Sequence, residues 1–177
     1  TNEWYAVAKI SGIKLCQAYQ KQYNSNFISA MPTNLYGPND NFHPLNSHVP
    51  AALLLKFHNA KINSEPFVTV WGTGKPKREF LYVDDLADAC IYLLKNYSGS
   101  QPINVGTGED ISIKNFAEKI KNIVGYKGEL KFDKSKPDGT PKKCLDITRA
   151  KKYGWKPKNN FHEGTKITYD SFLKKET

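Results

Sequence analysis

Trp4-Tyr5-Ala6-Val7-Ala8-Lys9 opens this chain with a tyrosine and a lysine four residues apart. On a helix that spacing puts the phenol and the ammonium on one face, where the positive charge favours the phenolate and readies the phenol to give up a proton. Such a pair can protonate a carbonyl oxygen as hydride arrives at its carbon. Taken alone, the spacing also fits an ordinary amphipathic helix with a solvated lysine, so the surrounding sequence has to choose. Apolar positions at helical spacing continue through Ile10, Ile13, Leu15 and Tyr19 to residue 23, and Asn24-Ser25-Asn26 ends the run.

Beyond that helix the pattern alternates. Residues 27–31 read as a short buried strand stopped by Pro32, followed by a loop over 32–47 that is too long for a simple connection and holds Asn34, Tyr36, Gly37, Asn39, Asp40 and Asn41. A polar loop at the C-terminal end of a strand is where open α/β sheets place ligands. A helix over 48–60 tolerates Pro50 in its first turn. Strands are expected at 67–71, closed by Gly72-Thr73-Gly74-Lys75-Pro76, and at 79–83, with Asp84 or Asp85 capping a helix to residue 96. Strands at 102–105 and 129–132 and helices at 113–124 (capped by Ser112), 146–153 and 163–174 complete an α/β chain.

A reductase of this kind needs a Gly-rich turn that brings backbone amides against a pyrophosphate, and no G-x-G-x-x-G or close variant occurs. Gly106-Thr107-Gly108 follows an apolar run, but Glu109-Asp110 would repel phosphate. The expectation is therefore a C-terminal piece of a larger enzyme, its Gly-rich half absent. The 177 residues suffice for one well-buried domain or parts of two. No apolar run approaches a membrane span and no signal peptide opens the chain. Cys16, Cys90 and Cys144 are an odd number without metal-ligand spacing, which fits reduced thiols in a cytoplasmic protein and no metal site; Cys16 reads as a core residue. The net charge of +9 is carried almost wholly by dispersed lysines, since only Arg78 and Arg149 are arginines. That spread argues against a nucleic-acid stripe and suits a small anionic ligand such as a nucleotide diphosphate.

Three stretches look like general signatures of a superfamily: Tyr5-Ala6-Val7-Ala8-Lys9, Arg78-Glu79-Phe80-Leu81-Tyr82-Val83-Asp84-Asp85, and Asn104-Val105-Gly106-Thr107-Gly108. Narrower are Met31-Pro32-Thr33-Asn34-Leu35-Tyr36-Gly37-Pro38-Asn39-Asp40-Asn41-Phe42-His43-Pro44 with Ser47-His48-Val49, and Lys136-Pro137-Asp138-Gly139-Thr140-Pro141-Lys142-Lys143. With these the chain resembles the C-terminal part of the GDP-L-fucose synthase family, extended short-chain dehydrogenase/reductases that act on sugar nucleotides. The general signatures are shared with UDP-hexose epimerases and GDP-mannose dehydratases, which stay open as alternatives, as does a non-catalytic nucleotide-sugar binding module.

The resemblance implies an α/β fold in which residues 1–40 and 79–107 belong to a Rossmann-type parallel sheet that binds NADP, and residues 41–78 and 108–177 to a smaller substrate-binding domain. It implies epimerisation of GDP-4-keto-6-deoxy-mannose at C3 and C5 and reduction at C4 by NADPH. Tyr5 would donate the proton at C4, Lys9 would support it and hold the nicotinamide ribose, and His48 would act as an acid in epimerisation beside the cofactor. Pro32, Thr33, Asn34 and Leu35 would wall the nicotinamide. Lys56, Trp71, Arg78, Asp138 and Lys143 would hold the GDP-sugar, with Lys56 standing where better-known members carry Arg, which exchanges a fork for a point charge. Arg78 could instead pair with Asp84 or Glu79, and His43, His58 and His162 read as surface or packing residues. A homodimer through the Tyr5 helix, no nucleic-acid partner and no turnover by the fragment alone complete the expectation.

Overall fold

A computed structural model describes residues 2–44 and 46–176, with side chains through residue 174. Its elements run α1 (Glu3–Tyr23), β1 (Ala30–Pro32), β2 (Asn34–Tyr36), α2 (Val49–Ile62), β3 (Phe67–Trp71), β4 (Lys77–Arg78), β5 (Phe80–Tyr82), α3 (Val83–Asn96), β6 (Ile103–Val105), β7 (Ile111–Ser112), α4 (Ile113–Val124), β8 (Glu129–Asp133), β9 (Lys142–Lys143), α5 (Thr148–Lys152) and α6 (Phe161–Glu176). Three parallel pairs, β1 with β6, β2 with β5 and β3 with β8, set the α/β character. A fourth, mixed ladder places β4 between antiparallel β7 and parallel β9.

Local chemistry explains several boundaries. Asn24 ends α1 in a left-handed conformation, a role its short polar side chain tolerates. Ser112 caps α4 by accepting from the Asn115 amide at 3.2 Å, and Gly125 at φ 75° closes it. Phe116, Ala117, Ile120 and Val124 then fall on one buried stripe. On β3 the burial alternates, so that Val68 and Val70 enter the core while Thr69 and Trp71 face outward.

Other expectations shift. The first strand begins later and includes Pro32, whose missing N–H is harmless because its neighbour Thr33 is the residue that donates across to the Val105 carbonyl. The supposed loop over 32–47 contains β2, whose polar start and following Gly-Pro give no periodic signal; it forms because β5 supplies the register Asn34↔Phe80. Val83 opens α3 rather than ending a strand, and Tyr82 occupies the cap position, so Asp84 and Asp85 lie in the first turn where carboxylates favour the helix dipole. The short pairs β7 and β9 carry no sequence signal either.

Two apolar clusters form. One gathers Leu81, Ala89, Leu93, Tyr97, Ile103, Val105, Ala150 and Trp155, with Ile28, Ala30 and Leu35 against it. The other gathers α2, α4 and α6 around Phe57, Phe116, Ile120 and Phe172, with Phe80 and Phe116 stacked at 4.1 Å between ring centroids. Helix α1 buries none of its residues, and Cys16, expected in the core, is only partly covered on it. The helix is tethered by Gln17 and Gln20, which donate to the carbonyls of Ser100 and Ser98 at 3.0 and 2.8 Å. Among the described residues no helix is long and apolar enough to cross a membrane.

Glu79 is the buried polar centre between the clusters, fully shielded from solvent. Its Oε1 accepts from the amides of Thr107 and Gly108 at 2.6 and 2.8 Å, and its Oε2 from the amide of Leu145 at 2.7 Å. Gly106 has to be glycine here because a Cβ would come within 2.1 Å of Oε1. The Gly106-Thr107-Gly108 turn therefore spends its amides on a carboxylate of its own chain, a more direct reason than the nearby acidic residues why it is no phosphate loop.

Candidate active site

Two cavities adjoin along β4 and the start of α2. The first, about 490 Å³, is walled by Tyr5, Pro32, Thr33, Asn34, Leu35, His48 and Lys143. Strand ends build it. Thr33 Oγ1 and Asn34 Nδ2 both donate to the Glu79 carbonyl, at 3.2 and 2.8 Å, which fixes the turn from β1 to β2. His48 caps α2 with extended backbone while its imidazole makes no capping bond, and it stays exposed to the cavity. Tyr5 reaches the same space from α1 and is 67% exposed. Lys9 is absent from the cavity wall; its ammonium lies 5.4 Å from the centroid of the Tyr5 ring, as the four-residue spacing requires.

The second cavity, about 390 Å³, lies between α2, the end of β3, Arg78 and the 137–139 loop. Lys56, Trp71, Arg78 and Asp138 all line it. Trp71 is 67% exposed, so its indole is no part of the core. Lys56 Nζ rests on the Thr69 carbonyl at 3.4 Å and lies 5.7 Å from the Trp71 ring centroid. Arg78 pairs with neither Asp84 nor Glu79: its Nη1 donates to the carbonyls of Lys77 and Thr140. Among the described residues no carboxylate lies within ion-pair distance of Lys56 or Arg78. Each cation is parked on neutral oxygen or a ring.

Asp138 behaves differently from expectation. Both its oxygens hold the turn after β3, Oδ1 accepting from the Thr73 amide at 2.8 Å and Oδ2 from the Thr73 hydroxyl at 2.6 Å. Those bonds hold its carboxyl below the ordinary range. Asp138 thus latches the 134–141 loop over the cavity. Lys143, expected to help hold the GDP-sugar, stands in the first cavity, and its register partner in β4 is Arg78, so the two cavities meet across one pair of adjacent Cα positions. Ser47 and Val49 line the second cavity while His48 between them lines the first.

Sequence reading quoted Glu79 and Thr73 within their segments but missed their roles. Neither role is local, since the first is defined by three distant amides and the second by a loop 65 residues away. No cluster of metal-ligating side chains exists among the described residues.

The family model for NAD dependent epimerases and dehydratases matches residues 1–106. The chain belongs to that family. Among curated members of this epimerase/dehydratase family, it is 56% identical to GDP-L-fucose synthase 1 of Arabidopsis thaliana over 98% of its own length and 54% of that protein. It is 51% identical to GDP-L-fucose synthase of Escherichia coli over 99% of its length and 58% of that protein. The chain therefore spans about half the length of these relatives. A solved GDP-L-fucose synthetase from Naegleria fowleri, bound to NADP, superposes with a TM-score of 0.91 at 33% identity, covering 99% of this chain and 57% of that one. The Rossmann-type α/β fold that the resemblance implied is the fold found.

Proposed function

We propose that this chain supplies the sugar-nucleotide half, and part of the cofactor wall, of an NADPH-dependent GDP-L-fucose synthase. The observation that carries the reading is the pair of adjoining cavities: one with unpaired cations and an exposed indole, the other with a phenol and an imidazole. An anionic GDP moiety suits the cavity of Lys56, Trp71 and Arg78, where the two cations would exchange neutral carbonyls for phosphate oxygens. The sugar then lies at the junction, toward Tyr5 and His48.

The described residues fit the nicotinamide-ribose end of NADPH, through the Pro32–Leu35 wall beside Tyr5. They offer no free amide turn for its pyrophosphate, because Thr107 and Gly108 are engaged by Glu79. When bound, the cofactor supplies hydride to C4. Tyr5 gives its proton to the C4 oxygen, with the Lys9 ammonium beside its ring to balance the phenolate left behind. His48 serves the earlier epimerisation: the 4-keto group acidifies the C–H bonds at C3 and C5, a base to which we assign no residue takes the proton and leaves the enolate, and the protonated imidazole returns one to that carbon on the opposite face. Lys143 faces these groups rather than the nucleotide, so we assign it to the sugar end.

The two apolar clusters follow in part a division into a sheet domain (residues 1–40 and 79–107) and a substrate domain (41–78 and 108–177): Ala150 and Trp155 cross into the first cluster, and Tyr36, Phe80 and Tyr82 into the second. The exposed Trp4, Val7, Ile10 and Leu15 on α1 suit a face covered in the whole protein, and we assign it to a homodimer contact. Sedimentation showing a monomer of the full-length protein would remove that assignment.

Calorimetric titration with GDP and UDP tests the main reading. Clear preference for GDP is the expected result; equal or stronger UDP binding moves the chain to another sugar-nucleotide enzyme, and binding of neither refutes the site.

A further inference from the structure

We propose that Lys136, in the loop after β8, is the second cation of a diphosphate clamp that closes across Trp71 with Lys56. Lys136 Nζ lies 5.6 Å from the Trp71 ring centroid and Lys56 Nζ 5.7 Å from it. One indole thus draws two ammonium groups, from a helix and from a loop separated by 80 positions in the chain. Among the described residues neither ammonium has a carboxylate within ion-pair distance. Two like charges held at one exposed ring repel each other, and an anion with negative charge on two adjacent phosphoryl groups completes the arrangement.

The placement of Lys136 is built rather than incidental. Asp133 is the register partner of Trp71 in the β3–β8 ladder, and its carbonyl accepts from both the Gly72 amide at 2.9 Å and the Lys136 amide at 3.2 Å. The Asp133 carboxylate accepts from the amide and hydroxyl of Ser135, at 3.0 and 2.6 Å, and shapes the turn, while the Lys136 charge favours it from beyond ion-pair distance. Two residues further on, Asp138 fastens the loop to Thr73. The base of the Lys136 side chain is therefore fixed on both sides while its ammonium, held in no ion pair, can still meet a ligand.

This clamp rests on the reading of the cavity as a GDP-sugar site, and the test separates the two. The full chain and its Lys136→Met and Lys136→Arg variants are titrated with GDP and with guanosine at low and moderate salt. Methionine keeps the apolar stem against the indole and removes the charge. The expected result is GDP binding weakened about tenfold in Lys136→Met, guanosine binding unchanged, a flatter dependence of GDP affinity on salt, and recovery in Lys136→Arg. Unchanged GDP affinity in Lys136→Met, with the native chain binding GDP well, overturns the clamp alone. Equal losses for GDP and guanosine, without recovery in Lys136→Arg, also overturn it by showing a loop-shaping role. Failure of the native chain to bind GDP removes the site reading and the clamp together.

Discussion

Glu79→Gln offers the sharpest test of how the site is held, because it changes two atoms' chemistry at constant shape. The native carboxylate takes three amide hydrogen bonds of 2.6 to 2.8 Å in a fully buried position. In the glutamine variant the side-chain carbonyl can still serve Thr107 and Gly108, but the amide nitrogen faces the Leu145 N–H, donor against donor. One buried amide loses its partner and two others lose charge assistance, a loss of about 2 kcal/mol at 1–3 kcal/mol per orphaned group. Glu79→Ala strands all three amides and should cost about 4 kcal/mol. Urea denaturation followed by far-ultraviolet circular dichroism measures both, and the glutamine variant should melt about 4–8 °C lower for a chain of this size. Glu118→Gln, a half-exposed helix position, serves as the control and should move stability by less than about 0.5 kcal/mol. If Glu79→Gln behaves like that control, Glu79 does not tie β6, β9 and β5 together, and the account of why Arg78 and Lys143 stay adjacent fails with it.

Gly72→Ala should destabilise the 134–141 loop, since Gly72 sits at φ 81° and a Cβ would meet Asp138 Oδ1 at 2.3 Å; a loss of about 1–2 kcal/mol is expected, with faster proteolysis inside the loop and normal cleavage elsewhere. The Asp138 latch carries a pH signature: its carboxyl is held low by Thr73, so the stabilisation is fully present above the unfolded carboxylate pKa and is lost only as pH falls through the lower folded value. Loop cleavage should stay constant from neutral pH down to about pH 5 and rise only below the ordinary carboxylate range. Asp138→Asn should show fast cleavage already at neutral pH, and a native loop that opens near pH 6 would contradict the assignment.

The sequence by itself determined the alternating α/β order, the helix caps at Asn24 and Ser112, the reach of β3 to Trp71, and the Tyr5–Lys9 pairing on one helical face. Each of these depends on residues a few positions apart, where backbone periodicity and cap chemistry act. Its quoted motifs also contain every residue that lines the first cavity, and seven of the fifteen that line the second. Tertiary structure alone decided that β2 exists, that Arg78 rests on loop carbonyls, that Asp138 is spent on Thr73 and that Lys143 faces Tyr5's cavity. Those outcomes hang on hydrogen bonds and registers between segments tens of residues apart, and only folding brings their partners within reach. The same holds for Glu79: nothing beside it in the chain shows that its carboxyl oxygens are met by three distant amides, whereas full burial requires them to find such partners.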